Sequence, residues 1–517
     1  RYMSEGTNLE VTPHIAKKKT NKDVDESSDT FDTIEWLLKN IPNNNGRVGL
    51  YGISYPGFYA TASLPDAHPA IRAVSPQAPV TDEFMGDDAN HNGAFFLLDN
   101  FNFMNYYGKP RTGPVKDYGS QLFNINSKDA YSFFLKLGPI KNTQSEKYFN
   151  NKSYIWDEYL QHDTYDDYWK ARNIRTALKN ITVPTLVVGG WFDAEDLFGA
   201  LKTYETLENQ QKQNKNHLVM GPWTHGAWAG GDWSKFATYD FGSNTSNFFQ
   251  DSIQTTFFNY YLKDKGTLNI AEATMFETGS NQWKFYTSWP PKEVTKTDYF
   301  LNEDNKLTTK KGTGYDEYIS DPAKPVPYTN GIFARRNNEY MAEDQRFAAT
   351  RPDVLVYETT ELSEDITLAG NISADLRVSI TGTDADFIVK LIDVLPENEP
   401  NFKNAPRGFQ MAGYQRLVRA EVIRGKFRNS FEKPEAFVPG KISQVKFSLN
   451  DVAHTFKKGH RIMVQVQSSW FPLVDRNPQK FMRIPDAGES DFQKINIKLY
   501  HDSVNDSKIT LPVLIKK

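Results

Sequence analysis

A serine set between glycines at the end of an apolar run can become a nucleophile, and Gly52-Ile-Ser54-Tyr-Pro-Gly57 has that form. An alcohol attacks poorly until it is lifted from the backbone and placed against a base. A sharp strand-to-helix turn does both, and it needs glycine where neighbouring atoms would collide. Gly57 stands three residues after the serine rather than two, so a plain glycine-rich turn with a solvated serine remains an alternative. Such a turn demands an acid and then a histidine further along the chain. Asp193 follows the run Leu186-Val-Val-Gly-Gly190, and His225 follows His217-Leu-Val-Met220. His225 would take the serine proton, while Asp193 would orient the ring and stabilise the imidazolium. A lone histidine after a strand is more often structural. Partners in the correct order at successive strand ends are a less ready coincidence.

A second group is acidic. Glu195 and Asp196 follow Asp193 by two and three residues, and at no more than about 3.6 Å per residue they must lie near it. Asp87 and Asp88 follow the apolar run at residues 71–76 and leave from the same edge. Carboxylates gathered at one pocket repel each other and call for a cation. A substrate ammonium would supply it, with about 4 kcal/mol of attraction per close pair at an effective dielectric near 20. On spacing alone, Glu195 and Asp196 serve equally well as acids at the start of the next helix. His91 beside Asp87 and Asp88 falls short of a metal-ligand set, so neither metal nor cofactor is expected.

These side chains need a scaffold. Apolar spacing predicts helices at residues 29–40, 57–64, 197–208 and 252–262, and strands at 47–52, 71–76, 183–190 and 217–220. Strand, helix, strand in close succession implies a parallel sheet, whose ligand sites lie outside the carboxyl ends of the strands. Between residues 89 and 180 the text is aromatic and mostly helical, as expected of an inserted cap. After about residue 295 the apolar period becomes two, as in Asp375-Leu-Arg-Val-Ser-Ile380, which predicts an all-β sandwich or jelly roll. The expected division is therefore 1–88 and 181–295 for two parts of an α/β core, 89–180 for the helical cap, and 296–517 for the β domain.

Composition narrows the function. With 60 basic and 64 acidic residues in 517, the formal charge of −4 argues against a nucleic-acid or anionic-membrane surface. The absence of cysteine excludes thiol nucleophiles, thiolate metal sites and disulfides. No run of some 18 apolar residues is present, so no bilayer-spanning helix is expected. The chain opens at Arg1 without a targeting segment, from which upstream sequence is expected to be missing and a cytoplasmic location is expected over a secreted one.

The motifs Gly-Ile-Ser54-Tyr-Pro-Gly, Trp191-Phe-Asp193-Ala-Glu195-Asp196 and Gly221-Pro-Trp-Thr-His225 resemble those of the cocaine-esterase and X-Pro dipeptidyl-peptidase hydrolase family. So do Asp321-Pro-Ala-Lys-Pro-Val-Pro-Tyr328 and Phe471-Pro-Leu-Val-Asp-Arg-Asn-Pro478, and the likeness runs over nearly the whole chain. The resemblance implies an α/β-hydrolase core, a helical cap and a C-terminal jelly roll. It makes the spacing of Gly57 normal for the family. Within the family the chain is most similar to α-amino-acid ester hydrolases, which hold a substrate ammonium with three carboxylates. Those positions are matched by Asp88, Glu195 and Asp196. The resemblance further implies that the Tyr55 backbone N–H serves the oxyanion, together with a tyrosine hydroxyl upstream of Arg1. The segment Arg1-Tyr-Met-Ser-Glu-Gly6 resembles one that follows that tyrosine, and Tyr2 does not match it.

The expected activity is that of a serine hydrolase cleaving small acyl esters or amides through an acyl-enzyme, with an α-amino-acyl group held by its ammonium. Ser54, Asp193 and His225 would be the triad. Removal of X-Pro dipeptides is the nearest rival, a simple carboxylesterase another, and a non-catalytic glycan-binding protein the rival of a different class. The expected partner is a small ester, an amide or a short peptide, and self-association into a homo-oligomer stays open.

Overall fold

A central sheet carries six strands in the order of the chain: β1 (Val48–Ser54), β2 (Ile71–Pro79), β3 (Thr185–Gly190), β4 (Asn216–Gly221), β5 (Ala273–Glu277) and β6 (Gln282–Tyr286). The computed structural model describes all residues except 1–10, 21, 108, 110–112, 117–118, 211–214 and 516–517. The Arg1–Gly6 segment and Tyr2 lie outside the described residues. Neighbours from β1 to β5 run parallel, and β6 turns back antiparallel on β5. Every residue of β3 is buried, which accounts for its unbroken Thr-Leu-Val-Val-Gly-Gly text. The register aligns the functional ends: Ser54 lies opposite Pro79, and Gly190 opposite Gly221.

Helix α1 (Glu26–Asn40) begins earlier than its apolar spacing indicates, because Asp25 and Ser28 form a reciprocal capping box. Helix α2 (Tyr55–Ala62) starts directly after Ser54, before the expected residue 57. The cap contains α3 (Leu97–Tyr107), α4 (Ala130–Leu137), α5 (Tyr154–Gln161) and α6 (Asp167–Arg172). Returning to the core, α7 (Leu197–Gln210) follows β3. The helix expected from residue 252 is preceded by a π segment, Phe248–Gln254, and continues as α8 (Thr255–Lys263). Phe249, Ile253 and Phe257 recur every four residues, and the wider π turn helps keep all three buried in one cluster.

Beyond the core sheet, eleven strands form a second sheet around a separate apolar cluster that includes Leu376, Val378, Val445, Phe447, Ile462, Val464 and Val466. The fold is an α/β-hydrolase core with a distinct all-β C-terminal domain. A third cluster joins the cap to that domain: Phe84, Phe101, Trp156 and Trp169 share it with Tyr328, Phe427, Trp470 and Phe471. Among the described residues no helix is long and apolar enough to cross a membrane.

Candidate active site

Ser54 adopts φ 68° and ψ −128°, a conformation that non-glycine residues rarely enter and that costs roughly 1–3 kcal/mol. Glycine makes the turn possible. A Cβ at Gly52 would stand 2.3 Å from the Pro56 carbonyl oxygen, and one at Gly57 would stand 2.5 Å from that of Gln77. The chain therefore reverses tightly from β1 into α2 and presents the serine at the helix start. Tyr55 opens α2, where the first N–H groups of a helix have no acceptor within it.

Two loops meet at the same edge. The backbone N–H groups of Trp191 and Phe192 donate to the carbonyls of Gly221 and Trp223 at 2.8 and 3.0 Å, which fastens the loop after β3 to the loop after β4. A side chain at Gly226 would begin 3.5 Å from Ile53 Cγ2, so the loop bearing His225 lies against the residue before Ser54. His225 Nδ1 stands 2.9 Å from Asp193 Oδ2. Asp193 Oδ1 also accepts the N–H groups of Glu195 at 2.9 Å and Asp196 at 3.0 Å. Burial disfavours the Asp193 carboxylate, but the imidazole and these hydrogen bonds outweigh it and hold the group below its ordinary range. Burial likewise opposes the imidazolium of His225, yet Asp193, Glu195 and Asp88 outweigh it and raise the ring to about 9.

The third expected contact is different. Among the described residues the Ser54 hydroxyl makes no hydrogen bond, to His225 or to any other group. His225 Nε2 instead faces Glu195 Oε2 at 3.4 Å. Ser54, Tyr55, Asp88 and Glu195 all line one cavity of about 570 Å³. Asp196 is not among the lining residues: it is fully buried, both carboxylate oxygens lack a hydrogen-bond partner, and Oδ2 stands 3.8 Å from His225 Nδ1. Burial, followed by the charges of Asp88, Asp87 and Asp193, pushes its carboxyl well above the usual range. Asp88 is raised in the same direction by burial and then by Glu195 and Glu83. Asp88 is also held at a φ of 22°, a left-handed geometry uncommon outside glycine.

The neighbouring acid has another task. Asp87 accepts the N–H groups of Thr81, Asp82 and Gly199 at 2.8, 2.9 and 2.7 Å, so it ties its loop to α7 rather than facing the cavity. His91 stacks on Phe96 with ring centroids 3.9 Å apart and meets Glu421 at 3.0 Å. No group of three or more metal-ligating side chains is gathered among the described residues.

Sequence reasoning missed several cavity residues. Asp99 on α3 lines the wall, as do Glu83, Tyr159 and Tyr168, with the Tyr159 hydroxyl donating to Glu83 at 2.7 Å. Arg336, from the C-terminal half, pairs with both Asp99 and Glu195. The Arg335-Arg336 pair was the visible signal, but nothing local ties it to a site so distant in the chain.

The X-Pro dipeptidyl-peptidase (S15 family) model matches residues 3–227, and the model for the C-terminal non-catalytic domain of X-Pro dipeptidyl-peptidases matches residues 263–510. A solved aminopeptidase from a marine sediment Thaumarchaeota archaeon is 35% identical and superposes with a TM-score of 0.90, covering 97% of this chain and 82% of that one. A solved α-amino acid ester hydrolase is 33% identical at a TM-score of 0.89, with 98% and 83% coverage. Cocaine esterase of Rhodococcus sp. (strain MB1 Bresler) is 26% identical over 502 residues, which span 92% of this chain and 80% of that protein.

Proposed function

This chain belongs to the X-Pro dipeptidyl-peptidase (S15) and cocaine-esterase family of serine hydrolases, and from that premise we propose that it hydrolyses small esters or amides whose acyl group bears an α-ammonium. The observation that carries this reading is the acidic wall beside Ser54. Asp88 and Glu195 line the cavity, and the adjoining Asp196 is fully buried with no hydrogen-bond partner for either oxygen, its Oδ2 standing 3.8 Å from His225 Nδ1. Asp99, Asp193, Glu195 and Asp196 share two cations, Arg336 and His225, and a bound cation relieves the cost of the excess buried negative charge.

In this mechanism Ser54 Oγ attacks the substrate carbonyl carbon while His225 Nε2 takes its proton. Asp193 keeps Nδ1 protonated and offsets the charge that develops on the ring. The Tyr55 backbone N–H donates to the oxyanion. Collapse of the tetrahedral intermediate sends the His225 proton to the leaving group and leaves Ser54 acylated. Water then gives a proton to the same imidazole and attacks the acyl carbon, and the acid leaves as the bond to Ser54 Oγ breaks and that oxygen takes the proton back. Catalytic hydrogen bonds are often long before substrate binds, so the unbonded Ser54 fits a resting site.

The test compares an α-amino ester, its des-amino analogue and an X-Pro anilide on one preparation. A kcat/KM favouring the α-amino ester by at least about tenfold over the des-amino ester is expected, the equivalent of one retained ion contact. Equal rates on those two esters would reject the reading. The family models and the aminopeptidase likeness favour a second reading, removal of X-Pro dipeptides. Preferred turnover of the anilide would select it.

A further inference from the structure

The charge that meets this acidic wall comes from the other half of the chain. Arg336 is carried on the segment before the short helical turn Asn338–Ala342. The backbone N–H of Asn337 donates to the Tyr328 hydroxyl at 3.0 Å, and the Arg336 Nε donates to Asn338 Oδ1 at 2.9 Å. The rings of Tyr328 and Tyr340 pack 5.4 Å apart beneath it. The side chain is only 9% exposed. Its Nη1 pairs with Asp99 Oδ2, and its Nη2 with Glu195 Oε1.

Glu195 is thereby divided. One oxygen sits on the guanidinium, while the other faces His225 Nε2 at 3.4 Å, the nitrogen that must accept the Ser54 proton. The Ser54 hydroxyl has no hydrogen bond among the described residues. We propose that Arg336 is a positioning residue for the reaction: it pins Glu195 Oε1, so that an arriving substrate ammonium draws Oε2 off the imidazole and frees Nε2 for Ser54. The inference rests on the ammonium reading of the cleft. Small concerted changes in the three side-chain torsions of Glu195 can shift Oε2 while Oε1 stays on the guanidinium, so the exchange needs no backbone movement. A planar fork suits the pivot, since it can hold two carboxylates in fixed directions. Substrates without the ammonium would meet a base still occupied by Glu195.

The groups around the base are Asp193 and Asp196 from the loop after β3, Asp88 from the segment after β2, and Glu195. Those around Glu195 are Asp88, Asp99, Asp196, His225 and Arg336, with Tyr340 close to the guanidinium. Removing the Arg336 charge leaves the carboxylates near His225 uncompensated and favours the imidazolium. The free base then appears only at higher pH.

The experiment is the pH profile of kcat/KM for a des-amino ester, measured on wild type, Arg336→Met and Arg336→Lys. In Arg336→Met the acid limb should move up by about one pH unit, the shift typical of losing one nearby compensating charge. Arg336→Lys should restore most of that position, because it returns the charge without the fork. A limb unmoved in a folded Arg336→Met, with rates on α-amino and des-amino esters falling equally, would identify a mere domain clamp and overturn the inference. Should Arg336→Met fail to fold, Glu195→Gln on the same ester should move the limb down, since a negative neighbour of Nε2 is gone. No movement there would equally overturn it. Because the limb is read on an ester lacking the ammonium, a wild type indifferent to the α-amino group rejects the ammonium reading without deciding the fate of the Arg336–Glu195–His225 linkage.

Discussion

Two buried groups of charge, one in the β domain and one in the cleft, are built to opposite rules. In the β domain Arg424 binds Asp386 through Nε and Nη2, each at 3.0 Å, and reaches Asp475 as well. Asn477 donates to Asp386 and Asp384 at 2.8 and 3.1 Å. Arg424, Asp386 and Asp475 are all nearly inaccessible, and each has its partner within the protein. Beside the cleft, Asp196 is as deeply buried, yet neither oxygen has a hydrogen bond and its charge is met only by His225 Nδ1 at 3.8 Å, a ring it shares with Asp193 and Glu195. The cost of burial is comparable in the two places. The balance of charge is not, and under the proposed function it separates a group that holds the fold from one that receives a substrate cation.

The contrast can be broken at either end. The largest effect is expected for Ser54→Ala, with turnover falling on the order of 10⁶-fold and the melting temperature unchanged. Steady-state rates together with a thermal melt check this, and retained turnover would dismiss the nucleophile. Next in size, Arg424→Met strands two buried carboxylates and should lower unfolding free energy by about 3–5 kcal/mol, read from the denaturant midpoint. A smaller and opposite response is expected in the cleft. Asp196→Asn removes repulsion, so the melting temperature should hold or rise while KM for an α-amino ester increases about tenfold. An equal rise for the des-amino ester would erase the distinction between the two groups.

The smallest expected effect is in pH dependence. Only the neutral imidazole can take the Ser54 proton, so kcat/KM should climb as pH rises toward about 9, where His225 loses its charge. A bound ammonium offsets the carboxylates that hold that proton, so the acid limb of kcat should lie below the limb of kcat/KM. Coincident limbs would count against cation binding beside the base. For stability the sign is reversed. The raised group contributes fully below its ordinary value near 6.5, and that contribution fades as pH passes about 9.

Much of the site was legible because its parts hang on local grammar. Gly52 and Gly57 announce a turn that only small residues permit, and Asp193 and His225 follow apolar runs whose register in a parallel sheet can be anticipated. Asp87 and Asp88 are adjacent and alike in type, so spacing alone could not separate them; the family resemblance pointed to Asp88, and the structure gives Asp87 its task as the loop tie. The β5 and β6 strands escaped notice: fully buried Ala273–Glu277 shows no alternation, and such short runs fit a helix or a strand equally. The π segment was invisible because hydrogen-bond register leaves little trace in composition. Arg336 was hidden for another reason. Its meeting with Glu195, across 141 residues, depends on how one domain docks on another.

The cluster that unites the cap with the β domain also restrains the cap over the core. Backbone bonds reinforce it: the N–H of Tyr165 donates to the Phe431 carbonyl at 3.0 Å, that of Ala130 to Phe333 at 2.8 Å, and that of Asp475 to Phe95 at 3.0 Å. A roof riveted to its neighbour on several sides cannot swing like a hinged door without tearing packed rings apart.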